Sequence, residues 1–177
     1  MKRTLFLVAI ALALTTPFAK AQLGAGSGTT TISVTVGAEA ALTVTSSTSL
    51  TSTGSNFGNY TSATPTTVTY FVRTTQSTGS GSITLKVTAD FSPANGPSVG
   101  TPPTAGDTLK YTCGATGAAT ACSGSQTAST SASTPLATFG ADAHTDTAGS
   151  TATTTWTLTN DPKYKTGTYN ATVTYTI

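Results

Sequence analysis

The run TYNATVTYTI at residues 168–177 alternates without a break: Tyr169, Ala171, Val173, Tyr175 and Ile177 fall on one side, and hydroxyl and amide side chains on the other. A period of two places successive side chains on opposite faces of a strand, so this segment reads as a strand with one buried face and cannot be an amphipathic helix. The pattern recurs along the chain. TTVTYFVRTT (66–75) sets Val68, Tyr70 and Val72 against Phe71, and SITLKVTADF (82–91) aligns Ile83, Leu85, Val87 and Ala89. DTLKYTC (107–113) aligns Leu109, Tyr111 and Cys113, TATTTWTLTN (151–160) offers Trp156 and Leu158, and ALTVTS (41–46) offers Leu42 and Val44. LATFG (136–140) is a further short candidate. Turn-rich stretches separate these runs: SNFGNYTS (55–62), QSTGSGS (76–82), the proline-rich SPANGPSVGTPPTAG (92–106), the polar SGSQTASTSASTP (123–135), taken as loop, and NDPKYKTG (160–167). Seven or eight short strands, turn signals between them and no helical period predict a single all-β sandwich of about seven strands.

Composition agrees with that expectation. Charged residues are only 8% of the chain, against roughly 25% in ordinary soluble domains. The helix-favouring Glu, Lys, Gln and Arg are scarce, while Thr, Ser, Ala and Gly are abundant.

The first residues specify export. Lys2 and Arg3 precede the apolar TLFLVAIALAL, and Ala19 and Ala21 give a small-x-small cleavage pattern, so residues 1–21 read as a signal peptide cut before Gln22. The apolar run is short for a bilayer span, and no second one follows, so no membrane span is expected after cleavage. Lys2, Arg3 and Lys20 leave with the signal. Arg73, Lys86, Lys110, Lys163 and Lys165 then face the acids Glu39, Asp90, Asp107, Asp142, Asp146 and Asp161, and the balance is slightly acidic. Nothing in it suits a nucleic-acid partner, which needs a basic patch.

Cys113 and Cys122 are the only cysteines. In an exported chain an even count predicts a disulfide, here closing the short CGATGAATAC loop; the spacing suits neither a redox nor a metal motif. The lone His144, between Asp142 and Asp146 in GADAHTDTAG, reads as a solvated loop histidine. Glu39 is the sole glutamate, which excludes a paired-glutamate glycosidase, and no catalytic residues, metal or cofactor are expected. Trp156, Tyr60, Tyr70, Tyr164 and Tyr169 could form a stacking platform for carbohydrate, with Tyr164 the best candidate for an exposed aromatic; Trp156 reads as core.

Residues 22–28 form a Gly-rich leader, and TTTISVTVGAEA (29–40) follows, with Ile32, Val34 and Val36 alternating against Ser33 and Thr35. Burying three such side chains is worth about 1.5–3 kcal/mol each, whereas ordering a strand of this length costs about 1–2 kcal/mol per residue. Apolar contact alone cannot hold it, so main-chain hydrogen bonds to a sheet edge must carry the rest.

The order of these motifs — leader, alternating strand, ALTVTS, the NFGNYT turn, LKYTC and the terminal GTYNATVTYTI — resembles the spore coat protein U family, which includes pilin subunits of the archaic chaperone–usher pathway. Gly167, Thr168, Tyr169, Asn170 and Val173 match that family's closing Gly-x-Tyr-x-(Asp/Asn)-x-hydrophobic strand approximately. Family members usually carry a cysteine near the position of Ala40–Ala41, which this chain lacks. The resemblance implies an immunoglobulin-like sandwich over residues 38–177 that lacks one strand, and a donor strand over 29–37 that completes a neighbouring copy. The donor residues would be Thr30, Ile32, Val34, Val36 and Ala38. It also implies self-association into a homopolymer, with a periplasmic chaperone and an outer-membrane usher as assembly partners. The expected role is adhesion or biofilm as an extracellular fibre or cell-surface coat. The alternative is a secreted monomeric binding module for carbohydrate or a surface, with residues 29–36 as an ordinary first strand.

Overall fold

A computed structural model describes residues 27–45, 47–52, 54 and 56–177. The signal peptide and residues 22–26 of the leader lie outside the described residues. Val36–Ile177 form one compact unit, separate from the residues before it.

The alternating runs become strands and the breakers become turns, with no helix among the described residues. Eleven strands follow in order: β1 (Glu39–Val44), β2 (Leu50–Ser52), β3 (Tyr60–Ser62), β4 (Thr66–Arg73), β5 (Gly81–Ser92), β6 (Leu109–Ala115), β7 (Ala119–Ala121), β8 (Ser125–Thr127), β9 (Thr134–Phe139), β10 (Ser150–Leu158) and β11 (Asn170–Thr176). They make two antiparallel sheets. In the first, β10 is the central strand: β6 runs along one edge and leads on to β8, while the other edge is shared by β4 and β3. β1 extends β4, and β2 extends β3. The second sheet has the order β11-β5-β9-β7. This is an all-β sandwich, richer in strands than expected because β2, β3, β7 and β8 are three-residue pieces whose partners, not their own alternation, define them. The polar 123–135 stretch, expected to be loop throughout, contains β8 and the start of β9, and it buries Ala128.

The two sheets face each other across the residues that the alternation singled out. Val68, Tyr70 and Val72 of β4, Leu109 and Tyr111 of β6, and Trp156 and Leu158 of β10 pack on Ile83, Leu85 and Val87 of β5 and Leu136, Ala137 and Phe139 of β9. Ala89 does not continue this inward row: it is exposed where β11 pairs irregularly with β5, with register shifts around Thr172. Aromatic rings meet at tilted angles, Tyr70 with Phe139 at 5.3 Å and Tyr111 with Trp156 at 5.2 Å.

Tyrosine hydroxyls carry polar links across this apolar layer. Tyr111 donates from β6 to the Pro135 carbonyl of β9 at 2.8 Å. Tyr175 of β11 bonds Thr154 of β10 at 2.8 Å, and Tyr70 donates to the Thr116 carbonyl in the turn between β6 and β7. Each satisfies a hydroxyl that would otherwise be buried without a partner.

Cys113 and Cys122 are bonded to each other, as expected, with Cα atoms 5.5 Å apart. Cys113 belongs to β6 in the first sheet and Cys122 follows β7 in the second, so the bridge clamps the point where the chain passes between sheets. Gly117 turns that corner at φ 66°, where a Cβ would also meet the Ser150 hydroxyl at 2.2 Å.

Candidate functional site

β11 lies at the end of its sheet among the described residues. It pairs with β5 alone among the described residues, so its other edge presents free backbone donors and acceptors. Its inward row is incompletely covered: Tyr175 is buried, but Ala171, Val173 and Ile177 are only half-buried. Beside this row lies a groove of about 790 Å³. Ala171 and Val173 line it from β11, Val44, Leu50 and Tyr60 from the first sheet, and Trp156 and Leu158 of β10 contribute buried apolar surface. Phe91 and Pro97 line it from the end of β5 and the proline-rich loop.

Two carboxylate arrangements support the loops around this groove. Asp90 accepts hydrogen bonds from the amides of Phe91 (2.8 Å), Val99 (2.8 Å) and Gly100 (3.2 Å) and from the Ser98 hydroxyl (2.6 Å). Burial opposes ionisation of Asp90, but the Ser98 hydroxyl and these amides outweigh it and lower its pKa below the ordinary aspartate value. Asp107 and Asp161 form a buried pair. Burial, and then the neighbouring Asp161 carboxylate, raise the pKa of Asp107. The Thr104 hydroxyl, followed by the Lys163 amide at 2.8 Å, lowers that of Asp161. Of the two, Asp107 is the one that keeps its proton longer. Asp161 and Tyr164 both line the groove.

Residues 29–37, expected to form a strand, make no ladder among the described residues. Thr30 and Ala38 are exposed, and Ile32, Val34 and Val36 are 87%, 80% and 65% exposed. The energy comparison above gives the reason: without a sheet edge to bond, three apolar side chains cannot order the segment as a strand.

Of the five aromatic candidates, Tyr60, Trp156, Tyr164 and Tyr169 line the groove and Tyr70 does not. Tyr70 and Trp156 are buried in the core, and Tyr60 and Tyr169 are half-buried. Tyr164, expected to be the exposed aromatic, is also half-buried, with its hydroxyl directed at Asp107 at 3.5 Å. Burial and then the charges of Asp107 and Asp161 push its pKa upward. Among the described residues the exposed aromatics are instead Phe71 and Phe57, the latter at 61% and lining the groove. The turn-rich SNFGNYTS signalled a bend there but not which side chain would stand out.

His144 is exposed, and its Nδ1 lies 2.8 Å from the carbonyl oxygen of Asp142, two residues away. It borders a shallow hollow with Asp146 and the exposed Arg73–Glu39 ion pair, 3.0 Å apart. Among the described residues no group of three or more His, Cys, Asp or Glu is placed to hold a metal ion, and no helix is long and apolar enough to cross a membrane. No family model, curated protein or solved structure matches the chain.

Proposed function

We propose that this chain is a structural subunit of an extracellular fibre or surface coat, in which residues 29–37 of one copy fill the groove beside β11 of the next. The observation that carries this reading is the half-covered inward face of β11 along an edge that is unpaired among the described residues. An added strand would supply what that edge lacks. Its backbone would bond the free edge of β11, and its apolar face would cover Ala171 and Val173. Ile32, Val34 and Val36, spaced two apart and exposed, have the chemistry of that missing face. The resemblance to pilin subunits adds a periplasmic chaperone, which would cover the groove before assembly, and an outer-membrane usher. The function is then mechanical, in adhesion or biofilm, with no catalysis. The bonded Cys113–Cys122 pair is compatible with an exported protein.

Deleting residues 22–37 tests the assignment. The truncated chain is expected to stay folded and monomeric by size-exclusion chromatography, and to form no fibres under the electron microscope where the intact chain does. If truncation unfolds the domain while the intact chain remains a stable monomer, residues 29–37 belong to their own sandwich and the reading is lost.

A further inference from the structure

We infer that Phe57 is a contact residue for the strand that enters the groove, its ring closing over that strand's apolar side chains; this rests on the reading proposed above. Phe57 is the most exposed aromatic of the Val36–Ile177 unit, and it lines a groove of mixed polar and apolar side chains with too little around it to bury it.

Its backbone makes the placement more telling. Asn56 and Phe57 both have positive φ, 66° and 55°. Asparagine tolerates this left-handed region, whereas a bulky phenylalanine is rare there and strained. Gly58 is the next residue and would adopt that conformation without strain, so local preference does not explain a phenylalanine at position 57. The neighbouring carbonyl is held firmly all the same. The Gly58 oxygen accepts from the Ser52 hydroxyl at 3.0 Å and from the Asn160 side-chain amide at 3.2 Å. The first ties the bend to β2 and the second to the turn after β10, which keeps Phe57 at the groove. A strained, anchored and uncovered ring makes sense where an occupant buries it. Phe71 is a useful contrast. It is also exposed, but it sits within β4 opposite Ala41 and away from this groove.

The test uses the full chain carrying Val34→Asp, so that its own segment does not compete, and a fluorescently labelled synthetic peptide of residues 29–38. Fluorescence anisotropy gives the affinity, and thermal unfolding gives the Tm. Phe57→Ala is expected to weaken peptide binding about tenfold or more. Phe57→Gly is expected to weaken it equally while raising the Tm, because it relieves the backbone strain. Phe57→Tyr, which keeps the ring, and Phe71→Ala are expected to bind like the parent. Parental affinity in Phe57→Ala, or a loss of affinity that merely follows a fall in Tm, overturns the assignment. A parent chain that binds no peptide overturns the donated-strand reading itself, and this assignment with it.

Discussion

β10 and β11 are written in nearly the same alphabet, yet they end in different states. STATTTWTL buries Ala152, Thr154, Trp156 and Leu158. NATVTYT buries only Tyr175 and leaves Ala171 and Val173 half-covered. The difference is not in the alternation but in the neighbours. β10 is paired along both edges and lies under the opposite sheet, whereas β11 has one partner among the described residues and an open groove at its side. A period of two says which face turns inward; it does not say whether anything in the same chain covers that face.

The largest test of this contrast is a pair of truncations. Trp156 packs on Tyr111 and donates its indole N–H to the Thr66 hydroxyl at 3.2 Å. Trp156→Ala is therefore expected to cost about 3–5 kcal/mol in denaturant unfolding of the monomer. Val173→Ala is expected to cost less than about 1 kcal/mol in the monomer but to weaken binding of the 29–38 peptide. Equal losses of stability from the two substitutions would mean that the β11 face is as closed as that of β10.

Neighbours also decide how much of each element is visible in the sequence. β4, β5, β6, β10 and β11 are legible because long alternating runs with turn residues at their ends admit only one period. β7 and β8 are not, because three residues cannot show a period and these pieces are strands only through pairing with β9 and β6. The Cys113–Cys122 bond is legible from count and compartment, but its position across the two sheets depends on the chain changing sheet at Gly117. For the candidate site, the apolar rows of β11 and of residues 32–36 are visible in advance. Phe57 is not, since its placement depends on the bonds that the nearby Ser52 and the distant Asn160 make to the residue after it. The Asp107–Asp161 pair is hidden for the same reason, 54 positions apart in sequence and brought together by the fold.

The disulfide sharpens the comparison from the closed side. The Cys113→Ser/Cys122→Ser double variant is expected to lose about 2–3 kcal/mol of stability, the entropy of a short loop returned to the unfolded chain. It is expected to bind the 29–38 peptide as before, because neither cysteine lines the groove. A parallel loss of peptide affinity would show that the clamped edge and the open edge are mechanically one.

The smallest effects are the pH responses of the two carboxylate arrangements beside the groove, and they should have opposite signs. The lowered pKa of Asp90 means that its bonds to the proline-rich loop stabilise the fold above the ordinary aspartate value of 3.8, a contribution lost as pH falls through its native pKa. Asp90→Ala is expected to cost about 1–2 kcal/mol at neutral pH and much less in acid. The raised pKa of Asp107 means the reverse. Its contribution is full below 3.8 and is lost as pH rises through its native pKa, when Asp161 faces a second negative charge. Asp107→Asn keeps a neutral side chain that can donate to Asp161, so a small rise in Tm is expected at neutral pH and none in acid. If Asp107→Asn instead lowers the Tm at neutral pH, the two carboxylates do not repel each other there and the sign assigned to Asp107 is wrong.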